Sequence, residues 1–193
     1  KGEKRGLISS GISNTGGLQV VPVIAFVGSH NAGKTTLLEK VISSLQDRGF
    51  KVGVIKHAFH PIVFEEGSKD SMRLFKAGAS LMAVVSNEIA VEYRQQEGKM
   101  SLDEILKKVT PGLDIVLVEG FKNEDLPKIQ VIRREVSSEL MELNQTIAVV
   151  SDFDIGELPV PVFQPNDSDK LVDFIINYCL KGNRIRRAKP GNG

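Results

Sequence analysis

One cysteine, Cys179, is all the thiol chemistry available to this chain of 193 residues. That excludes an intrachain disulfide framework and a Cys-rich zinc site, and it fits a reducing compartment such as the cytoplasm. Long apolar runs are missing too. No segment approaches the roughly 18 to 20 residues needed to cross a bilayer, so no membrane role is expected. The opening stretch KGEKRGLISSGISNTGGLQ is basic at its tip and lacks the apolar middle of a signal peptide. Residues 1–20 therefore read as a flexible leader or linker. An excess of one charge is also missing: 25 Lys and Arg against 24 Asp and Glu leave a net charge of +1, which argues against nucleic-acid binding by the surface as a whole. The basic residues of KGNRIRRAKPGNG read as a solvated tail over 182–193. With no internal repeat and no second domain, residues 21–181 remain as one domain. At this length, with 41% hydrophobic content, it can bury a core without disulfides or structural metal.

What the chain does have is GSHNAGKT at 28–35, directly behind the apolar run VPVIAFV. Gly28, Gly33, Lys34 and Thr35 satisfy G-x-x-x-x-G-K-[ST], with Ser29, His30, Asn31 and Ala32 between the glycines. The glycines permit turns that let successive N–H groups converge on an anion. Lys34 supplies a mobile cation for the outer phosphates, and Thr35 offers a hydroxyl to Mg²⁺. The helix that begins there adds its N-terminal partial charge.

Apolar periodicity organises the rest. Residues 21–27 read as a buried strand, 34–48 as a helix with Leu37, Leu38, Val41, Ile42 and Leu45 on one face, and KVGVIK as a second strand. A long loop, HAFHPIVFEEGSKD, leads to a short helix in DSMRLFKAGA. SLMAVV and IAVEYR flank SNE as a hairpin. Ser101 with Glu104 forms a capping box for a helix through Val109. LDIVLVEGF, KIQVIRR and TIAVVSD are further strands, and a last helix runs from about 167 or 168 through Leu180. Strands alternating with helices predict an α/β fold of the P-loop NTPase type. Its sheet is mostly parallel, with helices on both faces and an added β-hairpin.

A phosphate loop needs a further carboxylate to organise Mg²⁺ or its waters. Glu119 ends an apolar strand, where Asp is the usual residue; its longer side chain reaches a metal through water, or it is structural. Asp70 follows the long loop and reads either as a nucleotide-sensing group or as a plain helix cap. Lys56, His57 and His60 form KHAFH at the end of the second strand, suited to contact phosphate or a second ligand; the paired histidines also allow metal ligation. Guanine readers place an Asp after a late strand, to accept from N1–H and the 2-amino group. Here that place reads Ser151-Asp152-Phe153-Asp154, without the usual Asn and Lys. Either Asp152 or Asp154 reads the base, or the stretch is a turn.

The ordered set GSHNAGKTTLLEKVI, GVIKHAFH, GSKDSMRLFKAGA, IVLVEGFK and LPKIQVIR resembles the molybdopterin-guanine dinucleotide biosynthesis protein B family over roughly 21–180. The resemblance implies a GTP-binding, Mg²⁺-dependent, usually dimeric protein with weak hydrolysis. It implies a partner, a molybdopterin guanylyltransferase (MobA-like), which attaches GMP to molybdopterin, with molybdopterin-carrying proteins as further partners. It matches Gly28 to Thr36, including Thr36 itself, to the phosphate site and Glu119 to the strand-end carboxylate. Lys56, His57, Asp70 and Lys122 match motif positions without a settled role, and the leader is compatible with a linker from a fused cofactor-synthesis domain. Three activities stay open: a slow GTPase in which Lys34 and Mg²⁺ on Thr35 stabilise charge on the γ-phosphate while Asp70 or Glu119 orients water, a non-hydrolytic GTP-delivery adaptor, and a small-molecule kinase. The hairpin at 80–97 is the expected homodimer surface.

Overall fold

The computed structural model describes residues 21–58, 69–96, 98 and 100–187, the last stretch from 181 as backbone alone. The leader, His60 and the rest of the long loop, and the end of the basic tail lie outside the described residues.

The strands are β1 (Val23–Val27), β2 (Val52–Lys56), β3 (Leu81–Val85), β4 (Ala90–Arg94), β5 (Ile115–Glu119), β6 (Lys128–Ile132), β7 (Thr146–Ser151) and β8 (Val162–Phe163). The helices are α1 (Lys34–Asp47), α2 (Lys69–Lys76), α3 (Leu102–Val109) and α4 (Ser168–Arg187). Six strands form one sheet in the order β2-β5-β1-β6-β7-β8, all paired in parallel. The alternation of side chains along a strand sends Ile24 and Phe26 of β1 to one face, and Ala25 and Val27 to the other. The first face packs on Leu37, Leu38, Val41 and Leu45 of α1 and on Leu171, Val172 and Ile175 of α4. The second packs on Leu102 of α3. Helices thus cover both faces, as parallel sheets require.

Of the three polar residues buried in this sheet, Lys128, Gln130 and Ser151, the first two reach out to loops. Lys128 is 2% exposed, and its Nζ donates to the carbonyls of Glu124 (2.6 Å), Leu126 (3.0 Å) and Asn144 (3.2 Å). Gln130, 3% exposed, donates to the Met141 carbonyl and accepts from the Met141 N–H, each at 3.0 Å. Their partners are loop carbonyls and amides that strand pairing leaves over, so each side chain ties a loop to the sheet at its own position.

The elements depart from expectation in two places. β8 is a two-residue strand, too short to show a period. The last helix continues past Leu180 to Arg187, so the basic stretch begins inside α4 rather than as a flexible tail from 182. No proline stands in the way before Pro190.

The hairpin β3–β4 stands apart as a two-stranded sheet. Phe75 of α2 meets Tyr93 of β4 with ring centroids 6.2 Å apart, while Leu81, Val85 and Ile89 are exposed.

Candidate functional site

The loop 28–33 leaves β1, the strand two places from the β2 edge of the sheet, and feeds α1. Its two glycines act differently. A Cβ at Gly28 would stand 2.2 Å from the Val131 carbonyl oxygen of β6, so only glycine fits between these strands. Gly33, with φ of 88°, caps α1 in the left-handed region, and a Cβ there would meet nothing within 4 Å. Asn31, with φ of 62°, takes the same region, which Asn tolerates better than most residues. Ala32 is buried in the core, whereas His30, Asn31, Thr35 and Thr36 are exposed.

The Lys34 Nζ curls back to donate to the carbonyls of Ser29 (2.7 Å) and Gly28 (3.1 Å). Burial holds its pKa below the ordinary lysine value, the Glu119 carboxylate pulls the other way, and the Lys56 ammonium adds to the lowering.

Glu119 comes to this loop because β5 pairs beside β1, with Glu119 in register with Phe26. Its side chain is 13% exposed. The Thr35 hydroxyl donates to Oε2 at 3.1 Å and lies 3.3 Å from Oε1. On the other side of β5, Lys56 ends β2 in register with Glu119 and places Nζ 3.1 Å from Oε2. The same ammonium donates to the Thr35 hydroxyl at 3.3 Å. A helix N-terminus, a hydroxyl and a carboxylate therefore meet at one point. The hydroxyl and the carboxylate are hard oxygen donors, the kind that suits Mg²⁺, so Thr35 and Glu119 fit the metal that the phosphate-loop pattern implies, while the helix N-terminus suits phosphate.

The remaining expected residues divide. His57 lies next to the cluster: its backbone N–H donates to the Glu119 carbonyl at 3.0 Å, and its ring centroid is 4.9 Å from that of Phe121. Asp70 is not gathered into the cluster among the described contacts. Its carboxylate, 95% exposed, pairs with Arg73 at 3.4 Å within α2. Among the described residues there is no group of three or more His, Cys, Asp or Glu that could hold a metal. Burial pushes the Cys179 thiol up to about 11, so it offers no thiolate nucleophile at neutral pH.

At the end of β7 the two candidate base readers have separate settings. Asp152 Oδ1 accepts from the Arg134 backbone N–H at 2.9 Å, and Oδ2 is 3.6 Å from Arg133 Nε. Asp154 accepts from the Gly156 N–H at 2.9 Å, which closes a local turn. The Arg134 guanidinium lies over the Phe153 ring, 4.9 Å from its centroid. The sequence reading missed both arginines, and also the Lys56–Thr35–Glu119 contact, because strand order brings these residues together and spacing does not.

Among the described residues, no helix is long and apolar enough to cross a membrane. The family model described as molybdopterin guanine dinucleotide synthesis protein B matches residues 23–152. The molybdopterin-guanine dinucleotide biosynthesis adapter protein of Escherichia coli (strain K12) is 35% identical over 173 residues, covering 86% of this chain and 98% of that protein. The protein of the same name from Haemophilus influenzae is 34% identical over 160 residues, covering 82% of this chain and 89% of its own length. Among solved structures, the MobB protein homolog from Bacillus stearothermophilus matches with a TM-score of 0.63 and 30% identity, over 81% of this chain and 96% of that one. A match that spans the loop, the Glu119 strand and the Ser151–Asp152 turn, joined by relatives aligned along most of both chains, makes this protein a member of the molybdopterin guanine dinucleotide synthesis protein B family.

Proposed function

We propose that this protein is a GTP-binding accessory factor of molybdopterin-guanine dinucleotide biosynthesis, assisting the transferase that attaches GMP to molybdopterin. The adapter role in the names of its relatives supports that reading. The observation that carries it is the meeting of Lys34, Thr35 and Glu119 around the 28–33 loop at the head of α1. In this reading Lys34 turns from the loop carbonyls to the outer phosphates, while loop amides hold the inner ones. Thr35 and Glu119 hold Mg²⁺, which supplies neutralisation of phosphate charge. Hydrolysis is slow: Arg73, the arginine nearest in sequence to Asp70, is spent on that carboxylate and 84% exposed. Single-turnover hydrolysis with and without the transferase separates a GTPase from an adaptor that only delivers GTP. Unchanged hydrolysis with more transferase product favours delivery.

Base choice rests on Asp152. Its carboxylate has lone pairs left beyond the Arg134 N–H, and guanine offers two donors that adenine lacks. GTP is expected to bind at least about tenfold tighter than ATP with Mg²⁺ present, a difference of about 1.4 kcal/mol. Asp152→Asn brings the two affinities to near equality in competition titrations. Equal affinities in the unaltered protein would remove guanine specificity, and an unchanged preference in the variant would move base reading away from Asp152.

The partner for the hairpin is a second copy of this chain. Among the described residues β3 and β4 form a two-stranded sheet of their own, and Leu81, Val85 and Ile89 stay exposed in and beside it. Sedimentation at micromolar concentration is expected to show a dimer that Val85→Asp converts to monomer; a monomeric unaltered protein would discard this surface.

A further inference from the structure

Lys56 occupies an unusual position in the cluster. Its ammonium lies 3.1 Å from the Glu119 carboxylate and 3.3 Å from the Thr35 hydroxyl, the same two groups that suit a divalent cation. Lys34, the lysine of the loop itself, is engaged elsewhere, on the Gly28 and Ser29 carbonyls. The second lysine is delivered by a different strand, β2, whose register sets it opposite Glu119. β2 is at one edge of the sheet, and the Lys56 side chain is 57% exposed against 13% for Glu119. The carboxylate is therefore held in place while its partner cation is free to swing into solvent at small cost.

We propose that Lys56 is a built-in competitor for the metal: its ammonium holds the Thr35–Glu119 seat and must leave before a divalent cation can enter. The inference rests on the reading of the 28–36 loop as a magnesium–nucleotide site, and adds to it a residue that sets how much metal the site needs. One unit charge a few ångströms from a cation opposes it strongly even in a solvated setting. The lysine neutralises Glu119 without metal and so keeps a nearly buried carboxylate paired. Metal loading then becomes an exchange of one cation for another, with the displaced ammonium released toward solvent.

The direction of the effect separates this role from simple support. A lysine that merely held Glu119 in place would, when removed, weaken the metal site; a competitor, when removed, strengthens it. The test is Mn²⁺ affinity of the full chain saturated with GDP, read from loss of the free-ion electron paramagnetic resonance signal. Lys56→Met, neutral and similar in length, is expected to tighten Mn²⁺ on the order of tenfold. Lys56→Arg keeps the charge and is expected to stay within about twofold of the unaltered protein. Unchanged or weaker Mn²⁺ affinity in Lys56→Met overturns the inference and leaves the nucleotide site standing, provided GDP still binds. Failure of the unaltered protein to bind GDP or GTP with or without metal overturns both. Thermal melting of each variant checks that the fold is intact.

Discussion

Lys34→Ala is expected to weaken GTP affinity about 100-fold while leaving guanosine affinity within about twofold; a hydrogen bond to a charged group is worth about 1.5–3 kcal/mol. The nucleoside lacks the phosphates that Lys34 is built to meet, so the two ligands report on different halves of the site. Calorimetric titration of both against both proteins is the measurement. Equal losses would place the nucleotide away from the 28–36 loop. The lysine also predicts a pH dependence. Its pKa in the folded protein lies below the ordinary 10.5, with burial the first cause. Ligand-free protein thus sheds that proton sooner than an exposed lysine does. A bound triphosphate favours the ammonium, so affinity is full below the lowered pKa and falls as pH rises through it. Lys34→Ala should abolish that alkaline limb.

Gly28→Ala is expected to cost about 3 kcal/mol of stability, a typical overpacking penalty at the upper end. For a domain of this size that lowers Tm by roughly 6 to 12 °C. The cause is one contact: the new methyl would lie 2.2 Å from the Val131 carbonyl oxygen, and β6 is backbone, not a flexible side-chain end. β1 and β6 pair through Ala25, Phe26 and Val27 at the sheet centre, so the clash cannot be relieved at an edge. Gly33→Ala is the control. It meets no atom within 4 Å and carries only the strain of a left-handed alanine, about 1 kcal/mol. Scanning calorimetry should rank Gly28→Ala well below Gly33→Ala; equal melting temperatures would contradict the close approach of the strands.

The contrast between those glycines shows where sequence reading stops. Both fit the same motif, and the spacing alone assigns them one purpose. Only the pairing of β1 with β6 separates a steric need from a conformational one. The fold itself was largely legible, because its signals are local. Apolar runs at 23–27 and 115–119 mark buried strands, three- and four-residue spacing marks α1, and Ser101 with Glu104 does form the capping box that opens α3. β8 was not legible, since two residues show no period and its placement depends on β7. Lys56, Thr35 and Glu119 were each singled out, but not their meeting, because two registers on either side of β5 create it. Asp70 shows the converse: its position after the long loop suggested a role at the phosphates, while its described ion pair is with Arg73 on the same helix.

The fastening made by Lys128 has a mechanical consequence. One ammonium grips Glu124 and Leu126, which follow Glu119 in the chain, together with Asn144 ahead of β7. The connection downstream of the strand-end carboxylate is therefore anchored a few residues beyond it, and cannot slide without uncovering three carbonyls at once. Glu119 is thus the anchored side of the cluster, and Lys56, 57% exposed at the end of β2, is its looser wall.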